Sequence, residues 1–167
     1  KVISNKAIKA SKNFGNLWLN LKKELGSKAI IVKPLSDGCS TGVVRLYSSI
    51  DLEKYFGFIE TRATFIPAGV LHNQDKIVEM PTTKVEELLF EKFIETDIIS
   101  IKGNRLKYLR KTGFVEVTIG LLEEGGKIHA FNPSITVSEG QVLTLEEKFQ
   151  GGTGINLTPP PEQIVKP

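Results

Sequence analysis

A lysine at the end of an apolar run, followed by small polar residues, is the arrangement in this sequence best suited to chemistry. Ile30, Ile31 and Val32 read as a short buried strand, Lys33 closes it, and Pro34 stops it. Ser36, Asp37, Gly38, Cys39, Ser40, Thr41 and Gly42 follow, and a second strand resumes at Val43 to Tyr47. Small residues let backbone N–H groups approach phosphate oxygens closely, and a lysine adds a point charge. The chemistry available to such a set is phosphate binding. The same residues also describe a plain hairpin with a surface lysine, because glycine and serine mark turns of every kind.

Other residues have chemical potential. Leu88 to Ile94 (LLFEKFI) reads as a strand with Glu91 and Lys92 inside an apolar run, where charges are costly unless paired or facing a cleft. Phe114 to Leu122 alternates, with Val115, Val117, Ile119 and Leu121 on the expected core face and Glu116 on the other. Glu146 to Gly154 is charged and rich in glycine, and Lys148 lies within it; that is the composition of a mobile lid or of a surface linker. His72 has no second histidine or carboxylate at ligand spacing, so it reads as a surface residue and no metal site is expected.

The elements that must position these groups form an α+β pattern. Ser4 to Leu25 reads as one amphipathic helix, weakened at Gly15 and stopped at Gly26. Ser49 can cap a short helix burying Leu52, Tyr55 and Phe56. Ile59 to Thr83 reads as a long excursion with one strand around Lys76 to Met80. Further strands are expected at Asp97 to Ile101, Ile128 to Phe131, Ser134 to Val137 and Val142 to Leu145, with turns at Lys102-Gly103-Asn104, Glu124 to Lys127 and Glu139-Gly140. The 167 residues suit one domain or two small lobes. A net charge of +3 does not argue for nucleic acid, the single cysteine rules out an internal disulfide and fits a reducing compartment, and no apolar run approaches a membrane span.

IVKPLSDGCSTGV resembles the strand–loop–strand of ATP-grasp ligases, D-alanine–D-alanine ligases in particular, which carry VKP, an acidic residue, Gly, two small hydroxyl residues and Gly-Val. LLFEKFI is similar to the family's nucleotide hinge, FVEVTIGLL to the strand after it, and SITV…LTLEEKFQGGTG to its lid. The resemblance implies two small lobes of mainly antiparallel sheet. The first spans 1–94, with an insertion at about 59–87; the second begins at 95–167 and carries the lid at 146–161.

By the same resemblance Lys33 contacts ATP phosphates, and Cys39 and Ser40 lie over them, Ser40 near the reacting groups. Glu91, Lys92, Phe93 and Ile94 line adenine, Glu116 accepts the ribose hydroxyls, Lys148 closes on the γ-phosphate, and Phe149 faces the second substrate. The implied reaction activates a D-amino acid carboxylate as an acylphosphate and joins it to a second D-alanine or a D-hydroxy acid, as in peptidoglycan precursor synthesis. ATP and Mg²⁺ are the implied cofactors. The partners are small D-amino acids, with a second copy of the chain as an open option and neither nucleic acid nor membrane. The compartment is cytoplasmic, or plastid stroma for a plant-type source.

The departures from the pattern are specific. Ile59 to Glu87 and the piece from Thr96 to Gly113 are longer than the bacterial pattern and resemble plant-type homologues, as does GGTGINLTPPP. The family's upstream phosphate lysine, its N-terminal substrate domain and its magnesium-binding Glu-x-Asn have no counterpart, so the chain reads as an internal fragment expected to be inactive alone. Phe149 stands where dipeptide-forming members usually have Tyr. The alternative is a nucleotide-binding or interaction domain of the same descent without ligase activity.

Overall fold

Alternation of apolar and polar residues builds a four-stranded sheet in the first half of the chain. This computed structural model describes residues 1–11, 13–103, 105–137 and 155–165, with Lys102 described by its backbone alone. The chain divides into two compact units, Lys1–Phe93 and Ile94–Pro167.

In the first unit, β1 (Val2–Ser4) leads into α1 (Asn5–Ser11) and α2 (Phe14–Leu25). β2 (Ile30–Pro34), β3 (Val44–Leu46), α3 (Ser49–Thr61), β4 (Phe65–Ile66), β5 (Val78–Glu79) and β6 (Glu87–Lys92) follow. The sheet has the order β1-β6-β2-β3, every pair antiparallel. Ile30, Val32, Val44, Leu46, Leu88 and Phe90 point to one face and join Ile8, Trp18, Leu21, Leu52, Tyr55 and Phe56 in one buried cluster. The side chains between them, Ile31, Lys33, Arg45, Leu89 and Glu91, occupy the other face and are only partly buried.

The single helix expected from Ser4 to Leu25 is two helices. Asn13 ends the first by capping the second: its side chain accepts from the Asn16 N–H at 2.9 Å. Asparagine competes for backbone donors outside the helix and so prefers this position to a helix interior. Gly26 closes α2 at φ 58°. Ser48 rather than Ser49 caps α3, accepting from Asp51 N–H at 3.1 Å, and the helix buries Leu52, Tyr55 and Phe56. The excursion expected from Ile59 to Thr83 is ordered and packed. α3 runs to Thr61, β4 pairs with β5, and Ile66, Leu71 and Met80 are buried in the main cluster.

In the second unit, β7 (Ile98–Lys102) and β8 (Arg105–Leu109) form a hairpin turning through Gly103, and β9 (Leu121–Glu124) and β10 (Lys127–Ala130) another through Gly125-Gly126. β11 (Ile135–Val137) pairs with β12 (Ile155–Leu157), and α4 (Glu162–Val165) follows. Ile135, Val137 and Ile164 form a small core with Ile99, Ile101, Leu106, Tyr108, Val115 and Leu157 around it.

The alternating strand expected from Phe114 to Leu122 is not formed. Only the Thr118–Ser134 bridge and the start of β9 pair there. Of its apolar face Val115 packs on the core, while Val117, Ile119 and Leu121 are exposed. Alternation marks a buried face only where a ladder holds the segment against a layer, and most of this segment has no ladder. The expected strand at Val142 to Leu145, the turn at Glu139-Gly140 and the lid from Glu146 to Gly154, including Lys148 and Phe149, lie outside the described residues.

Candidate functional site

Lys33 is the fourth residue of β2, on the open face of the sheet. The register sets Lys33 opposite Leu89 and Ile31 opposite both Glu91 and Arg45. Lys33 and Glu91 are therefore diagonal neighbours on adjacent strands, a spacing that long side chains can bridge. Lys33 Nζ lies 2.5 Å from Glu91 Oε2, with side chains 37% and 45% exposed. Both groups remain reachable from solvent, and an ion pair of this exposure contributes less than about 1 kcal/mol.

Beside them, across Ile31, stands Arg45. Its guanidinium carbon is 3.5 Å from the Phe93 ring centroid and 4.5 Å from that of Tyr47. Tyr47 in turn meets His72 edge-on, with centroids 5.1 Å apart. Asp51, buried at the start of α3, accepts from the Tyr47 N–H and from the His72 N–H, both at 3.0 Å, and so holds the outer end of this stack. An arginine against two rings gains cation–π attraction from each. The stack was readable in part: Arg45 and Tyr47 share strand parity in VVRLY. Phe93 and His72 join it only through tertiary packing.

The loop after Lys33 is built tightly. Gly42 has φ 66°, and a Cβ there would meet Pro34 Cγ and Cδ at 3.0 Å. Its N–H donates to Glu79 O at 2.7 Å, and its carbonyl accepts from the buried Tyr55 hydroxyl at 2.8 Å. Burial pushes the Tyr55 phenol far above its usual range, so it stays a neutral donor. Cys39 and Ser40 are both left-handed, at φ 56° and 64°, which costs roughly 1 kcal/mol each for residues with a Cβ. The loop spends the N–H groups of Gly38, Thr41, Gly42 and Val43 on its own turns and on β5. Those of Cys39 and Ser40 take no partner among the described residues.

The candidate residues separate as follows. Lys33, Glu91 and Phe93 lie on one face of the first unit. Cys39 is exposed and Ser40 half-buried in the loop that follows Lys33. Lys92 is exposed and has the strand parity of Phe90, opposite to that of Glu91. Ile94 is exposed and opens the second unit, where Glu116 is also exposed. Among the described residues no group of three His, Cys, Asp or Glu is placed to hold a metal ion, and no helix is long and apolar enough to cross a membrane.

Among the described residues, one carboxylate that the sequence did not single out is strongly perturbed. Asp97 is buried in the second unit and accepts from the Tyr108 hydroxyl at 2.7 Å. It also accepts from the N–H groups of Lys111, Thr112 and Gly113 at 2.7–2.8 Å. These bonds, the tyrosine's first, hold its carboxyl well below the usual range, and the same contact raises the Tyr108 phenol. With four donors already in place, Asp97 is occupied in closing the turn at Lys111 to Gly113.

No protein-family model, curated protein or solved structure matches this chain.

Proposed function

We propose that this chain is the nucleotide-binding part of an ATP-dependent carboxylate–amine ligase of the kind that joins D-alanine to a second D-alanine or to a D-hydroxy acid. The observation that carries the reading is the open sheet face. Lys33, one residue before the end of its strand, is held by Glu91 of the neighbouring strand, and the loop that follows has left-handed Cys39 and Ser40. The motif resemblance supplies the chemical class.

In this reading Lys33 leaves Glu91 and neutralises phosphate charge, and the N–H groups of Cys39 and Ser40 point to the same oxygens. For phosphoryl transfer a protein mainly positions groups and offsets charge. The γ-phosphoryl group passes from ATP to the carboxylate of the first substrate, giving ADP and an acylphosphate. The amine or hydroxyl of the second attacks the acyl carbon and phosphate leaves. Lys148 takes the lid role and Phe149 faces the attacking group. Magnesium, when bound, would supply further neutralisation of phosphate charge; among the described residues no group of three His, Cys, Asp or Glu is placed to hold it.

Titration calorimetry with a non-hydrolysable ATP analogue tests the reading. Lys33→Ala weakens binding by at least about tenfold, as expected for loss of a charge-assisted contact, in a variant with unchanged far-ultraviolet circular dichroism. Equal affinity in wild type and variant removes Lys33 from the site.

A further inference from the structure

The stretch from Ile59 to Glu87 has no role in the reading above, yet its two ends build the walls of a cleft. The cleft has a volume of about 250 Å³ and lies between α1, the end of α3 and the segment leading into β6. That is near the small end of ligand pockets.

Its charges do not balance. Lys6, Lys9, Arg62 and Lys84 line it, against Glu60 and Glu86. Lys9 pairs with Glu60, and Lys84 with Glu86 at 2.5 Å. The side chains of Lys6 and Arg62 have no ion-pair or hydrogen-bond partner among the described residues. Two uncompensated cations therefore face one small space, whose apolar lining includes Phe58, Met80 and Val85.

Two further features mark the cleft. Arg62 is the C-cap of α3 and is left-handed, φ 51°. Glycine is the usual residue there, and a side chain at that position is strained. Asn5 also lines the cleft and is nine-tenths buried. Its Nδ2 donates to Val85 O, which fixes the amide's orientation, and its Oδ1 accepts from nothing among the described residues. A buried acceptor left without a donor is costly.

We propose that this cleft binds a small organic anion. Lys6 and Arg62 take its acid group, and Phe58, Met80 and Val85 pack on its apolar body. The site shares no residue with the Lys33–Glu91 face and stands whether or not that face binds nucleotide.

Amide NMR spectra of the chain titrated with meta-hydroxybenzoate, benzoate and inorganic phosphate test it. The expected result is saturable shifts at Asn5, Thr83 and Val85 with either aromatic acid, and weaker binding of phosphate. Arg62→Gly separates binding from folding, because glycine suits a left-handed cap. The variant is expected to be at least as heat-stable as wild type, while its dissociation constant for meta-hydroxybenzoate rises at least about tenfold. Lys6→Gln should weaken binding in the same direction. Shifts scattered over other lysines, no saturation at millimolar probe, or wild-type affinity in Arg62→Gly would each overturn the proposal. Phosphate binding as well as the aromatic acids would overturn the assigned apolar contacts.

Discussion

Glu91 sits one diagonal step from Lys33 across β2 and β6 and takes its ammonium at 2.5 Å. An anionic ligand of Lys33 therefore competes with a carboxylate already in place. Glu91→Gln is expected to tighten binding of the ATP analogue by a few fold at low salt. Stability should change by less than about 1 kcal/mol, because the pair is largely solvated. Calorimetry and urea unfolding measure the two effects separately. Weaker binding in Glu91→Gln would show that the carboxylate serves the ligand directly instead of holding the lysine.

The turn that follows Lys33 depends on the absence of a side chain at Gly42. Gly42→Ala adds a methyl group 3.0 Å from Pro34 at φ 66°, and is expected to cost about 1–3 kcal/mol, read as a lower urea midpoint at unchanged slope. Gly38→Ala is the control. Its position is open and its φ is ordinary, so the change should stay within about 0.5 kcal/mol. Equal losses at the two positions would remove the Gly42–Pro34 contact as the cause.

Arg45 between Phe93 and Tyr47 is expected to couple to both rings. A double-mutant cycle with Arg45→Ala and Phe93→Ala, read by urea unfolding, should give a coupling energy of about 0.5–1 kcal/mol. Arg45→Lys should recover only part of it, since an ammonium cannot stack as a plane. Strict additivity of the two single changes would mean the rings merely cover the arginine.

Acid should loosen the second unit through Asp97. Its carboxyl titrates lower in the folded chain than the usual value near 3.9. The unfolded chain therefore binds the proton more readily, and the contribution to stability is complete above that value. It is lost as pH falls from there towards the folded value. Amide exchange at Lys111, Thr112 and Gly113, followed from neutral to strongly acidic pH, should accelerate over that window. In Asp97→Asn the same amides should exchange faster already at neutral pH and show a flatter acid response. An unaltered acid profile in the variant would assign the loosening to other groups.

Strong periodicity made part of this legible beforehand. The apolar runs at Ile30-Ile31-Val32 and around Leu88 and Phe90 form strands, as does Val44-Arg45-Leu46, α3 buries Leu52, Tyr55 and Phe56, and Gly125-Gly126 turns a hairpin. The α+β class follows from these. What escaped depended on contacts distant in sequence. Asn13 is the local exception: it splits one helical pattern in two because its side chain caps the second helix three residues on, at Asn16. Ile66, Leu71 and Met80 lie too far apart to show a period, yet each fills the same core. Lys33 and its loop were visible as a strand end followed by small residues. The partnership with Glu91 and the clamp on Arg45 were not, because a diagonal pair exists only once the register of two strands is known. The apolar face at Val117, Ile119 and Leu121 shows the converse: a pattern with a strand's period does not form a strand without a neighbour.

The strand order of the first unit also bears on how it assembles. β2 and β3 are joined by nine residues and can meet early, but β1 finds its partner only in β6, with Val2 opposite Leu89. A contact of that sequence separation is paid for in loop-closure entropy before it returns any pairing energy, and such topologies fold slowly. In a chain emerging from its N-terminal side, α1, α2 and the β2–β3 pair are synthesised while β1 still waits. The central strand that closes the sheet is the last piece of the unit to be made. Until it arrives, β2 presents an unpaired edge carrying Lys33, so the candidate ligand face is completed by the same event that ends the unit's exposure to aggregation.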